Sequence, residues 1–431
     1  MKIKFKYGKE NLFLNVPQDS IVYSSNYPKE DKSGNVLLIE SISAAISCKP
    51  LKYLLAQKRK GHVVIVVSDI TRPIPYQSFL PALVEYLLKE GIAKEAIRLL
   101  VATGMHRAST LEEKKEMFGE YIVENFQIID HDAEDEANLS TLPKQSWSGA
   151  TIKLNRHYIE AGFRIITGLV EPHFMAGFSG GRKSICPGLA SLETIQKFHG
   201  YQFLSDSKAA NAVLEGNPCH LENTSIAKIC PPDFGINIIL DQNKQLHKII
   251  SGDPFISHEI TINYLKDKCC RKVTHPVDLV VTSCGGYPLD ATFYQCVKGF
   301  VNCLPALKEH GSIIAFGSCT EGIGSPEYQF LMKQYSNSVD AFLENIKNNR
   351  FFIKDQWQFQ MHIRVLKKIG LPNLHFYTTG LSEEHLKYLS VHSHFVTRDK
   401  LEYSMQQHID NAINSGKNIA VLPEGPYCSP I

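Results

Sequence analysis

Nearly continuous runs of Val, Ile and Leu that stop abruptly in a polar turn constrain this chain more than any other feature. They read HVVIVVSDITRP at 62–73, IRLLVATGMHR at 97–107 and FRIITGLVEPH at 163–173. Later come VDLVVTSCGGYP at 277–288, GSIIAFGSCTEG at 311–322 and NIAVLPEGP at 418–426. A strand wetted on one side alternates apolar and polar residues, whereas one covered by helices on both faces does not. Helical patterns lie between the runs, as in SFLPALVEYLLKEG at 78–91 and EEHLKYLSVH at 383–392. The alternation predicts an α/β fold with mainly parallel sheets flanked by helices. In such sheets ligands bind beyond the carboxyl ends of the strands. The unusual residues stand there: Asp69 and Arg72, His106 and Arg107, His173 and Lys183.

At 431 residues the chain exceeds what one core supports, so two domains are expected. The basic, proline-ended stretch CCRKVTHP at 269–276 marks a boundary. The expected division is an N-terminal α/β domain over 1–270 and a C-terminal α/β domain over 276–405, with the segment from about 405 to 431 free to rejoin the first. A site in the cleft between domains is the usual arrangement. Charge is balanced, 46 basic against 44 acidic side chains, and no polybasic run offers a footprint for nucleic acid or anionic membrane. MKIKFKYGKE at the N-terminus alternates like a strand and lacks an apolar segment of signal-peptide length, and VVIVV at 63–67 is too short to span a bilayer. Eleven cysteines without CxxC spacing suit reduced thiols in a cytoplasmic enzyme. The expected partner is a small molecule.

The stretch EPHFMAGFSGGRKSICPGLA at 171–190 sets Lys183 among four glycines. GFSGGRKS at 177–184 matches the P-loop pattern except at Arg182, which replaces the glycine that lets backbone wrap phosphate oxygens. Pro187 also removes a donor early in the helix that should follow. A nucleotide-binding phosphotransferase thus stands as a rival to a loop that merely positions the lysine. His106 and His173 each follow a strand, and imidazole can give or take a proton near neutrality. Such a pair on opposite sides of a substrate could take a proton from either enantiomer. His199 has no histidine or cysteine at metal-site spacing, so side chains alone do not make a zinc site there. His131, His157 and His220 read as surface or packing residues. In DATFYQCVKG at 290–299, helical spacing brings Tyr294 and Lys298 to one face with Gln295 close by. That trio is either a carboxylate binder or a solvated face.

Together these residues resemble the nickel-pincer lactate racemase family. The resemblance is carried by SDITRPIP at 68–75, GMHR at 104–107, the whole 171–190 stretch, His199, FYQCVKG at 293–299 and Trp357 in KDQWQF. Ile70 departs from it, standing where some relatives carry a polar residue such as histidine. The resemblance implies a cofactor joined covalently to Lys183: a nickel-pincer nucleotide, pyridinium-3-thioamide-5-thiocarboxylic acid mononucleotide, whose two sulfurs and ring carbon hold Ni(II). His199 would complete a roughly square-planar site, a geometry Ni(II) favours. Asp69, Thr71 and Arg72 would hold the cofactor; Arg72, Tyr294, Gln295, Lys298 and Trp357 would hold substrate.

The implied activity is racemisation or epimerisation of a 2-hydroxy acid, lactate by default, with His106 and His173 as proton donor and acceptor. Enzymes of cofactor synthesis would be loading partners. Direct removal of the α-proton would build a carbanion beside a carboxylate. Acid–base assistance supplies roughly 3–5 kcal/mol, too little for that step, so a cofactor must carry it. The resemblance implies hydride transfer through a planar 2-keto acid. A carrier that keeps the lysine but has lost turnover is a further alternative, disfavoured by the presence of both histidines.

Overall fold

The computed structural model describes residues 1–348 and 352–431. A short strand, β1 (Ile21–Val22), precedes the first of the apolar runs. Then come β2 (Val63–Ser68), β3 (Ile97–Ala102), β4 (Gln127–Asp130), β5 (Phe163–Leu169), β6 (Phe234–Leu240) and β7 (Leu246–Gly252). The last six form one sheet in the order β7-β6-β5-β2-β3-β4. It is parallel except for β7, which runs antiparallel to β6. Every residue of β5 and β6 is buried, which is why neither run alternates.

A second sheet uses β8 (Val277–Ser283), β9 (Leu307–Phe316), β10 (Leu374–Thr378), β11 (His392–Phe395) and β12 (Ile419–Leu422). Its order is β11-β10-β9-β8-β12-β1, parallel throughout. The helices that matter below are α1 (Leu80–Lys89), α2 (Leu192–Phe198), α3 (Ile256–Cys269), α4 (Phe293–Asn302), α5 (Gln356–Ile369) and α6 (Arg398–Asn414). α1 buries Leu80, Leu83, Val84 and Leu87, the stripe expected of an amphipathic helix on a sheet. The α/β class expected from the sequence is the class found.

The chain divides into two compact units, one of residues 27–199 and 213–265, the other of 1–26, 200–212 and 266–431. This differs from the linear division expected. The N-terminal hairpin Lys2–Tyr7 and Glu10–Asn15 presents Phe5, Tyr7, Leu12 and Leu14 to the second core, against Leu279, Val281, Ile314 and Phe316. β1 then pairs with β12. The C-terminal segment likewise does not rejoin the first unit, because β12 is held between β8 and β1. Residues 383–392 are not one helix either. Only Glu383–Leu386 is helical, Ser390 takes a φ of 52°, and His392 opens the edge strand β11. Strand pairing along β10 outweighs the helical propensity of so short a segment. Among the described residues no helix is long and apolar enough to cross a membrane.

Both sheets contain a point where strand order reverses. β2 leads outward to β3 and β4 while β5 lies on its other side; β8 leads to β9 while β12 lies on its other side. Loops diverge at such points and leave a crevice at the carboxyl ends.

Candidate functional site

At the reversal of the first sheet, a pocket of about 110 Å³ opens beyond β2, β3 and β5. Its wall includes Asp69, Thr71, Arg72, His106 and Lys183, so five of the residues singled out from the sequence converge there. The end of β2 is pinned by a chain of hydrogen bonds. Ser68 N–H donates to the Tyr76 hydroxyl (2.7 Å), the Tyr76 and Thr167 hydroxyls lie 2.9 Å apart, and Thr167 O–H donates to the Val66 carbonyl (2.8 Å). Asp69 follows this fixed point and is 6% exposed. Its carboxylate accepts from Thr71 Oγ1 (2.7 Å) and meets His106 Nδ1 at 2.6 Å. Burial raises its pKa, but the bonds from His106 and Thr71 and the charges of His106 and Arg72 outweigh that and leave it below the usual value.

Because a carboxylate only accepts, His106 Nδ1 carries the hydrogen, so in the neutral ring Nε2 keeps its lone pair. The loop bearing His106 is tied down independently. Gly104 N–H donates to the Gly188 carbonyl (3.0 Å), and Arg107 clamps both oxygens of Glu113, which also caps its helix with Thr110. His173 lies on the small hairpin of Pro172–His173 and Gly177–Phe178. Its Nδ1 accepts from the backbone N–H groups of Met175 (3.3 Å) and Ala176 (3.2 Å), so in the neutral ring Nε2 bears the hydrogen. The two histidines thus differ in tautomer: one is set to accept, the other to donate. His173 is not on the wall of the pocket.

Lys183 sits in a short 3-10 turn, Gly181–Ser184, whose Ser184 hydroxyl donates to the Thr167 carbonyl at 3.1 Å. Its ammonium nitrogen stands 5.1 Å from the Phe198 ring, next to His199 at the end of α2. Burial, helped by the charge of Arg72, lowers the amine pKa to about 7. Burial, then the charges of Lys183 and His106, hold the His199 ring well below its ordinary value and therefore neutral. An amine that can lose its proton near neutrality and a neutral imidazole are what a covalent tether and a metal ligand require. Gly104, Gly168, Gly180 and Gly188 give the wall a backbone lining. The residues present therefore fit a lysine-tethered, metal-bearing nucleotide.

The sequence missed what holds this turn in place. Arg182 is buried and donates from Nη1 to His258 Nδ1 (3.0 Å), while His258 Nε2–H donates to the Ser179 carbonyl (2.9 Å). His258 lies on α3, 76 residues from Arg182, and no local signal announces it. The second glycine of the P-loop pattern is thus replaced by a buried anchor that is absent from the pocket wall. Gly181 shows why alanine is excluded there: φ is +52°, and a Cβ would lie 2.7 Å from the His258 ring. Gly181→Ala is expected to lower stability by about 2–4 kcal/mol, backbone strain plus overpacking. Gly91, with φ +83° and nothing within 4 Å, is the control that carries strain alone. Equal denaturation midpoints for Gly181→Ala and Gly91→Ala would remove the steric role of His258.

The remaining predicted residues lie in the other unit, beyond β8. Thr292 caps α4, and Tyr294, Gln295 and Lys298 occupy its first two turns, each half-buried. The Tyr294 hydroxyl accepts from Trp357 Nε1–H on α5 at 3.0 Å, and its carbonyl accepts from the Gln358 side chain. Among the described residues Gln295 Oε1 is buried without a hydrogen-bond partner, an acceptor in want of a donor. His131, read from the sequence as a surface or packing residue, is buried with its Nε2–H on the Ala190 carbonyl (2.9 Å).

Residues 7–212 match the family model described as lactate racemase N-terminal domain, and residues 273–426 that of the lactate racemase C-terminal domain. The lactate racemase of Thermoanaerobacterium thermosaccharolyticum is 32% identical, covering 98% of this chain and 97% of that protein. That of Lactiplantibacillus plantarum is also 32% identical, covering 85% and 84%. The solved lactate racemase apoprotein from T. thermosaccharolyticum superposes with a TM-score of 0.88 at 30% identity over 100% of both chains. A Thermotoga maritima protein shares the fold at 18% identity, with a TM-score of 0.68 over 92% of this chain and 99% of that one.

Proposed function

Since this chain belongs to the lactate racemase family and is an isomerase, we propose that it racemises lactate, or a close 2-hydroxy acid, by hydride transfer at the pocket beyond β2, β3 and β5. The observation that carries this reading is the convergence of the Asp69–His106 pair and the Lys183 amine on one wall. Lys183 would anchor the nickel-pincer nucleotide and His199 would ligate its nickel, with Asp69, Thr71 and Arg72 supporting it. When bound, that group supplies an acceptor for the α-hydrogen as hydride, which no side chain here offers.

The chain's own residues do the rest. His106 Nε2 takes the hydroxyl proton, and Asp69 stabilises the imidazolium that results. His173 Nε2–H donates a hydrogen bond to the substrate oxygen and holds the planar 2-keto intermediate, and on the return the His106 imidazolium gives its proton back to that oxygen. For the opposite enantiomer the roles exchange, which requires the His173 hydrogen to move from Nε2 to Nδ1 and Nδ1 to turn away from the backbone donors of Met175 and Ala176. Arg72 binds carboxylate as a bidentate donor. Gln295 and Lys298, with the Tyr294–Trp357 pair behind them, form a second carboxylate-binding set. We place the enzyme in the cytoplasm, where its eleven cysteines would stay reduced and cofactor-synthesis enzymes would load it.

The test uses lactate of one configuration carrying deuterium at C2 and the cofactor-loaded chain. Optical rotation should decay while the label stays on carbon. Wash-out of deuterium into water at the rate of racemisation would replace hydride transfer with deprotonation.

A further inference from the structure

Far along the chain from Asp69, His106 and Lys183, four histidines gather at the edge of the second sheet. His375 on β10 pairs in register with His392 on the edge strand β11, and Tyr377 pairs with His394. Alternation puts all four side chains on one face, and α6 brings His408 onto the same face. The ring nitrogens of His375, His394 and His408 all lie within 4.8 Å of one another. His375 Nδ1 and His394 Nε2 are 3.1 Å apart, and the rings of His375 and His408 meet edge to face at 4.2 Å. His392 stacks on His394 at 5.0 Å and lies 4.7 Å from His375.

We propose that His375, His394 and His408 form a binding site for a divalent first-row transition-metal ion, with His392 as a fourth ligand on its rim. Two ligands about 2.0–2.1 Å from one ion sit roughly 3.0–3.5 Å apart, which the His375–His394 pair already satisfies. Small ring rotations bring in the third. The outer partners select the needed tautomers. The Pro372 carbonyl, 3.3 Å from His392 Nδ1, can only accept, so His392 Nε2 keeps its lone pair. The Tyr377 oxygen, 3.1 Å from His408 Nδ1, can accept Nδ1–H and leave His408 Nε2 to the metal. Burial and mutual repulsion of the imidazoles further favour neutral rings, with His375 at about 3 and His394 at about 4.

The ligand set holds no carboxylate, and neutral imidazole suits zinc, nickel and copper rather than magnesium or calcium. Lys417 is the charged group whose field reaches His375 and His408, and it works against a cation without occupying the ligand atoms. A bound ion would clasp β11, an edge strand with one pairing partner, to α6. Edge strands are the elements most in need of such a tie. The proposal is independent of the racemase reading.

The experiment is a titration of the untagged, chelator-stripped chain with Zn(II) and, separately, Ni(II), by calorimetry and by thermal unfolding. Wild type is compared with the double variant His394→Ala/His408→Gln and with His199→Ala. The double variant should bind one equivalent fewer than wild type and lose the zinc-induced rise in Tm, whereas His199→Ala should keep both. Identical stoichiometry and Tm response in wild type and double variant would overturn the site. Should the double variant fail to fold, Co(II) added to wild type decides. Strong visible d–d absorption, quenched by one equivalent of Zn(II), supports the site, and its absence refutes it.

Discussion

Lys183→Ala should abolish the mass adduct on the intact chain and, with it, all racemisation, leaving a folded apoprotein. The lysine is half-buried in a turn whose shape is set by its neighbours: Arg182 on His258, Ser184 on Thr167, and the left-handed glycines at 180 and 181. Truncating a side chain that supports none of these contacts leaves the turn intact, so the loss is chemical and not structural. The lowered amine pKa of about 7 sharpens the expectation. At neutral pH a large share of this amine is unprotonated and nucleophilic, against roughly one in 2,500 for an ordinary lysine. In the apoprotein, a mild acylating reagent at pH 7 should therefore label Lys183 ahead of the exposed lysines. Arg72→Ala should slow that labelling, because the Arg72 charge helps keep the amine deprotonated. Uniform labelling across lysines, or an adduct that survives Lys183→Ala, would remove this residue from its assigned role.

Asp69→Asn should lower kcat about as far as His106→Ala, by roughly 10²–10⁴-fold, while the cofactor mass stays on the protein in both. The reason is tautomeric. Asp69 accepts the Nδ1 hydrogen of His106 and leaves Nε2 as a base. An asparagine in its place can donate to Nδ1, which moves the hydrogen to Nε2 and removes the lone pair the reaction needs, as happens in serine protease triads. Thr71, also bonded to Asp69, holds the carboxylate but does not touch the imidazole, so Thr71→Val should cost much less. If Asp69→Asn turned over like wild type, the pair would be a structural contact and not the proton acceptor.

How far the sequence could be read is clearest at particular residues. Val63–Ser68, Ile97–Ala102 and Phe163–Leu169 were legible because strands buried on both faces must be apolar at every position. Their polar exits were legible for the same reason: where the sheet ends, the chain meets water or ligand. Asp69, Arg72, His106 and Lys183 could thus be gathered before any coordinate was known. His392 and its neighbours misled, because a short edge strand depends on its partner for its conformation and leaves little trace in its own composition.

Local chemistry along the chain determined by itself the α/β class, the position of the polar turns and the presence of a lysine on a glycine-rich loop, since each depends on residues within a few positions of one another. Only the tertiary structure decided that residues 1–26 build the second unit, that His258 buttresses Arg182, that His106 and His173 hold opposite tautomers, and that four histidines share one face. These depend on partners tens to hundreds of residues away. A hydrogen bond fixes a proton through the atom that happens to face it, and no linear pattern records which atom that is.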